Sequence, residues 1–509
     1  MKDDDWGPFG RPLFEDPSAR ALRRVGVIDI GSNSVRMVVF DGAARSPAYF
    51  YNEKVMAGLG AGLTQTGRLN PEGRARAMAA LRRFALLAKS MEVTPLVAVA
   101  TAAMREAEDG PAFREEVTQE TGLRLWVIDG EEEARLSGQG VLLGRPDARG
   151  LVCDIGGSSM ELAEVNDGKV GKRATSALGP LKLRDLEGGK QAVQSQIAAE
   201  IAELLKAVPP TKDPLHLVGG SWRAIARLDM LRRDYPLTVL HEYRLTRASL
   251  SDTLDFIAAS DVESLRALSG IGEARMKLVP TAARILAPLV EAYDPSEVIV
   301  SSYGIREGLL YEQMPKALRK RDPLIEACRH SEAQSARIPG FGRALFSFIS
   351  PIFKTEKWSE LRLIKAACLL HDISWRAHPD YRAEVCFDTA TRANLGGLNH
   401  AERVFLGLAL LHRYKNSRVG SRFEPYFELI GEEAQREAEI LGKAMRFGAM
   451  LAAQDYERMG TLDYSEKKAQ LSLTLLPETS ALFGEVAEAR FRSLARSMNA
   501  EPVVFSEAS

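Results

Sequence analysis

The sequence predicts an α/β protein in which two lobes of related pattern are followed by a mostly helical C-terminal domain. The duplication shows in two stretches: VGVIDIGSNS, from Val25 to Ser34, and LVCDIGGSS, from Leu151 to Ser159, share an apolar strand, an Asp, an Ile-Gly step and a small polar turn. Strand and helix signals alternate after each of them. A third observation ends the pattern, because PKALRKRDP puts Pro at both ends of a basic segment and the chain beyond it reads mainly at helical period.

Residues 1–24 are polar and bear Pro and Gly without an apolar core of signal-peptide length, so a flexible tail is expected there. VGVIDIG and VRMVVFDG are strands around GSNS, since β-branched residues crowd both sides, and together they form a hairpin. RARAMAALRRFALLAKSM has the apolar spacing of a helix, TPLVAVATAAMRE runs from strand into helix, and LRLWVID is a strand ahead of a carboxylate run. The first lobe is expected over 25–140. The second, over 141–315, restarts with strands at LVCDIGG, SMELAEVNDG and GKRATSAL, and continues with a helix at QAVQSQIAAEIAELLKAV and the short strand LHLVGGS. SEVIVSSYGIREGLLYEQM supplies one more strand entering a helix. A linker is expected over 316–324, and a separate domain over 325–509, helical until LSLTLLPETS predicts a late strand before a final amphipathic helix.

Composition limits the function classes. At 509 residues and 45% hydrophobic the chain supports two to four domains. Lys+Arg 67 against Asp+Glu 68 leaves no whole-molecule field to draw it to nucleic acid or an acidic membrane surface, so an anionic ligand must be held by local groups. Cys153, Cys328, Cys368 and Cys386 are far apart with no CxxC pair, which suits reduced thiols and a cytoplasmic setting. No stretch reaches about 18 uninterrupted apolar residues, so no membrane span is expected.

Laying one glycine turn over the other sets Asp29 on Asp154, Gly31 on Gly156, Ser34 on Ser159 and Arg36 on Glu161. A glycine-bearing turn between strands aims several backbone N–H groups at one concavity, and two such nests facing each other would clamp a phosphate. An Asp closing each first strand would stand at that mouth, where a carboxylate holds a divalent cation directly or through water. A simple hairpin turn needs no acid in that place. Arg36 and Glu161 put opposite charges at equivalent positions, one suited to gripping a phosphoryl oxygen and the other to orienting metal or water.

These turns, with VATAAMREA, IDGEEEARLSGQG, LVGGSWRAIARL and VSSYGIREGLLYE, resemble the exopolyphosphatase and guanosine pentaphosphate phosphohydrolase (Ppx/GppA) family, of the actin and sugar-kinase fold, from about Val25 to Glu312. The resemblance implies duplicated actin-like (ribonuclease H-like) lobes with a mostly α-helical HD-like C-terminal domain, in a cytoplasmic homodimer. It implies hydrolysis of the terminal phosphoanhydride of inorganic polyphosphate, with guanosine pentaphosphate as the alternative substrate, by Mg2+-assisted attack of water. Carried over residue by residue, Glu133 is the general base, Arg36 and Arg105 meet phosphoryl oxygens, and Asp29, Asp154 and Glu161 are the metal and water-orienting carboxylates. Gly31, Ser32, Asn33 and Ser34, then Gly156, Gly157, Ser158 and Ser159, and last Gly219, Gly220 and Ser221 form three phosphate-binding loops. One departure stands out: the family's second loop usually reads DIGGGSTE and here reads DIGGSSME, with Ser158 in place of Gly and Met160 in place of Thr. A positive φ at Ser158 would cost about 1 kcal/mol, so either this loop is shaped differently or the hydroxyl replaces a lost contact.

Two other enzyme or binding classes remain open on the residues alone: a kinase of the same fold, and a non-catalytic sensor of polyphosphate or guanosine tetraphosphate. In the C-terminal domain, His371 and Asp372 form an HD pair with His330 upstream and His400 downstream, residue types that suit a metal centre or, alternatively, a capped helix end. Arg319, Lys320 and Arg321 either line a polyphosphate path or make a solvated face.

Overall fold

A computed structural model describes residues 9–11, 24–42, 45–184, 186–452 and 459–506. The chain divides into two compact units between Arg321 and Asp322.

The first unit holds two mixed sheets of the same plan. In one, β1 (Val25–Ile30), β2 (Val35–Phe40), β3 (Tyr49–Val55), β4 (Leu96–Ala100) and β5 (Leu125–Val127) lie in the order β3-β2-β1-β4-β5. In the other, β6 (Gly150–Ile155), β7 (Met160–Asn166), β8 (Lys169–Ser176), β9 (Leu215–Val218), β10 (Tyr243–Leu245) and β11 (Val298–Val300) lie in the order β10-β11-β9-β6-β7-β8. β1 and β6 occupy equivalent central places, each antiparallel to the strand that follows it and parallel to a later one. Central strands are covered on both faces, and so VGVIDI and GLVCDI are nearly continuous apolar runs. The actin-like duplication expected from the two glycine turns is present. β3 and β10 carry no such signature. β3 is an edge strand whose YFYNEKV alternates exposed and half-buried side chains, and β10 is three residues long, too short to show a period.

Helices cover these sheets. Pro71–Ser90 starts where Asn70 accepts from Gly73 N at 2.8 Å with Pro71 in the first turn, and it buries Ala77, Leu81, Phe84 and Ala88 on one face. Gly130–Gly144 starts at Asp129, whose Oδ1 accepts from Glu132 N at 2.8 Å. That helix packs on β7, β8 and the helix Ile305–Gln313. The contact is backbone to backbone, since a Cβ at Gly308 would collide with Leu136 O. The division expected at 140/141 therefore falls inside one helix, a boundary that periodicity alone does not reveal. At its far end Arg45, fully buried, donates from Nη1 to Leu143 O at 2.5 Å and from Nη2 to Leu142 O at 3.2 Å, which satisfies carbonyls the helix leaves open, and from Nε to Arg321 O at 3.0 Å.

The second unit is mostly helical, with long helices at Pro323–Ser335, Trp358–Leu370, His400–His412 and Glu432–Leu451 around a core in which Phe387 stacks on Phe423 at 4.0 Å. Three strands, not one, close it: β12 (Thr461–Ser465), β13 (Gln470–Leu475) and β14 (Glu501–Ser506), in the order β12-β13-β14. Only β13, QLSLTL, has the clean apolar alternation that sequence reading detects. Most of the expected tail lies outside the described residues, but Phe9 packs on Trp358 with ring centroids 4.7 Å apart, and Arg329 Nη2 donates to Gly10 O at 2.6 Å. The expected linker carries the short helix Lys316–Arg319 and the start of Pro323–Ser335. Arg319 is committed there, donating to Met314 O at 2.9 Å and Glu312 O at 3.0 Å.

His371 and Asp372 are both buried. His371 Nδ1 meets Cys368 O at 2.8 Å, and Asp372 is gripped by Arg337 through two 2.7 Å hydrogen bonds. His330 is exposed, and His400 opens its helix. All four cysteines are free and buried. Among the described residues no helix is long and apolar enough to cross a membrane.

Candidate active site

The two glycine turns have the same construction. Gly31 N donates to Ser34 O at 3.0 Å, and Gly156 N to Ser159 O at 2.9 Å. In the hairpin registers Asp29 faces Arg36 and Asp154 faces Glu161, so the positions that superpose in the two sequences are also equivalent in the two hairpins. Both turns open on one cleft, together with Glu133 and the Gly219-Gly220-Ser221 turn. The cleft is lined by Asp29, by Gly31 to Ser34 and Arg36 of the first hairpin, and by Asp154 and Gly156 to Ser159 of the second. Ser158 takes no positive φ, so the departure from glycine strains nothing, and Met160 is buried in the second lobe.

Two expected residues stand outside the lining. Glu161 is 1% exposed behind the second turn, where Thr175 Oγ1 donates to Oε1 at 3.2 Å and Ser159 also hydrogen-bonds the carboxylate. Arg105 donates to Ile128 O at 2.7 Å and lies near enough to Glu133 and Glu161 to act on their charge. Of the three adjacent carboxylates, Glu132 pairs with Arg135 and Glu131 reaches Arg173, while Glu133 alone is buried.

The cleft gathers buried carboxylates and a set of cations. Burial pushes Glu133 well above the ordinary carboxylate range, and Glu161 and Asp154 push it further. Burial also raises Asp154, against a hydrogen bond from Ser137, and raises Asp29, against the nearby Arg306 and Arg36. Glu161 is pushed up to about 8, chiefly by burial. The same lining carries cations that sequence reading did not single out: Lys54, Arg223, Arg275 and Arg306, joining Arg36. Desolvation and mutual repulsion lower Lys54 to about 8 and both Arg36 and Arg223 to about 10. None of the five makes an ion pair within 4.0 Å among the described residues. Arg223 and Arg306 lie inside the GSWRA and GIREG stretches and follow glycine turns, a signal that was legible. Arg275 and Lys54 had none. Gly220 makes room for Arg275, since a Cβ there would strike its guanidinium.

Helix N-termini add positive potential. Gly219 begins Gly220–Arg232 and Gly304 begins Ile305–Gln313, and both residues line the cleft. Glu307, fully buried, accepts from Gly304 N at 2.8 Å and from Tyr49 Oη at 2.9 Å, tying the second helix start to β3.

Oxygen donors and two unsatisfied buried carboxylate atoms, Glu133 Oε2 and Glu161 Oε2, fit a hard divalent cation. Among the described residues no three His, Cys, Asp or Glu side chains converge as a closed cage. An ion here would share one or two carboxylates with phosphate oxygens and water, the arrangement Mg2+ prefers.

Residues 38–317 match the Ppx/GppA phosphatase family model, and residues 329–501 match the model for the exopolyphosphatase C-terminal domain. Exopolyphosphatase 1 of Mycobacterium tuberculosis (strain ATCC 25618 / H37Rv) is 27% identical over 304 residues, covering 57% of this chain and 88% of that protein. Guanosine-5'-triphosphate,3'-diphosphate pyrophosphatase of Aeromonas hydrophila is 23% identical over 444 residues, covering 83% of this chain and 86% of that protein. The crystal structure of the Aquifex aeolicus member of the Ppx/GppA protein family aligns with a TM-score of 0.51 at 25% identity, over 57% of this chain and 97% of that one.

Proposed function

We infer the reaction from the premise that this chain belongs to the Ppx/GppA phosphatase family. It removes the terminal phosphoryl group of inorganic polyphosphate by attack of water. The observation that carries this choice of substrate is the cleft lining: among the described residues it holds five cations without ion-pair partners within 4.0 Å and three glycine turns, and no aromatic side chain on which a nucleobase could stack.

The terminal phosphoryl group sits between the Gly31–Ser34 and Gly156–Ser159 turns, whose backbone N–H groups meet its oxygens. Arg36, Arg223 and Arg275 offset charge on the phosphoryl group and the leaving chain, and Lys54 adds to their positive charge. Glu133 Oε2, buried without a protein partner, accepts a proton from the attacking water and aligns it with the bond to be broken. Asp154, oriented by Ser137, and Asp29 would hold Mg2+, and Glu161, held by Thr175 and Ser159 behind the second turn, would add negative charge near them. A bound Mg2+ supplies charge neutralisation on phosphoryl oxygens and lowers the raised carboxylates beside it.

The deciding experiment measures phosphate release from long polyphosphate, tripolyphosphate and guanosine pentaphosphate in parallel, with and without magnesium. Faster release from polyphosphate supports this reading. Preference for guanosine pentaphosphate transfers the same chemistry to the nucleotide, and tight binding with no release makes the chain a sensor.

A further inference from the structure

The second phosphate turn carries a hydroxyl where the family pattern has glycine, and that hydroxyl crosses the cleft. Ser158 Oγ donates to Ser32 Oγ at 3.1 Å, between turns 126 residues apart in sequence. Both side chains are buried, at 8% and 5% exposure. The approach is close in the backbone too, because a Cβ on Gly157 would lie 3.3 Å from Ser32 Cβ.

Each hydroxyl is held from its own lobe. Ser32 O accepts from Gly60 N at 2.8 Å, and Asn33 O from Gly58 N at 3.0 Å. On the other side Gly157 O accepts from Leu181 N at 2.9 Å, while Gly179 presses against the Ser158 backbone. The two hydroxyls thus join turns already braced on separate sheets.

We propose that Ser158 is a positioning residue that acts through Ser32: the hydroxyl pair fastens the two phosphate turns together and sets the width of the slot that holds the terminal phosphoryl group. The proposal rests on the hydrolase reading given above. The pair leaves the cations Arg36, Lys54, Arg223 and Arg275 untouched, so substrate is still captured by charge. A looser slot misaligns the phosphoryl group against the water at Glu133, and the loss falls on kcat rather than on KM.

The test is a double-mutant cycle over the parent, Ser32→Ala, Ser158→Ala and the double variant, with kcat and KM measured on tripolyphosphate and melting temperature followed alongside. One hydrogen bond in a preorganised site predicts a fall in kcat of roughly 3- to 10-fold for Ser158→Ala with KM within about twofold. The double variant then falls no more than about twofold below the worse single variant, and Ser158→Thr restores most of the loss. A Ser32→Cys/Ser158→Cys chain gives a readout independent of turnover, since mild oxidation should consume the two new thiols while the four native ones stay buried. New thiols that fail to pair, or kcat losses that multiply independently, overturn the proposal. A parent that releases no phosphate from any of the three substrates overturns the hydrolase reading instead, whatever the thiols do.

Discussion

Glu133 and its two neighbours are chemically identical in the chain and become different only on folding. Glu131 and Glu132 reach arginines at the surface, while Glu133 turns into the cleft with one oxygen unpartnered. Glu133→Gln should therefore lower kcat for phosphate release by about 10²-fold or more with little change in KM, as expected of a general base. Arg275→Met should act the other way, raising KM roughly tenfold at low salt with kcat nearly kept, and by less as salt screens the cleft. Glu161 links function to stability. Its value of about 8, set chiefly by burial, lies above the ordinary 4.5, so the folded state holds its proton more tightly than the unfolded chain does. Its contribution is full below about 4.5 and is lost as pH rises through about 8. Calorimetry should accordingly find Glu161→Gln melting above the parent at pH 9, with the gap closing at pH 5, while its phosphate release is reduced.

The helix Gly130–Gly144 is the element on which the site depends. It carries Glu133 in its first turn and Ser137 one turn on, is closed at its C-terminus by Arg45, and lies backbone to backbone on Ile305–Gln313, which begins with Gly304 and Arg306 of the cleft. Gly308→Ala forces these two helices apart. Overpacking of this kind should cost about 1–3 kcal/mol in urea unfolding. Phosphate release should fall as well, because Glu133 on one helix and Arg306 on the other both line the cleft. The helix start was visible in sequence as a strand end followed by carboxylates. Its packing partner was not, because the two helices are joined by contacts across about half the length of the first unit. The same distinction explains the strands. β1 and β6 are covered on both faces and announce themselves as apolar runs, whereas β3 and β14 are edge strands held by a neighbour's hydrogen bonds more than by their own pattern.

For the whole molecule, an anion that binds the folded cleft must stabilise it. Tripolyphosphate at one hundred times its Kd should add about 2.7 kcal/mol to unfolding of the unit that carries the cleft, read as an upward shift in melting temperature. Repeated strand, turn and strand are properties of a few neighbouring residues, so the duplicated lobes, both glycine turns and the acid at the end of each first strand were determined by the sequence itself. What only the tertiary structure decided is which charges share a desolvated space. It withdrew Glu161 and Arg105 from the lining, chose Glu133 among three equal carboxylates, and gathered Lys54, Arg223, Arg275 and Arg306 from distant segments into the same cleft. Burial and Coulomb energy depend on distance through space, and the chain's order alone does not carry that distance.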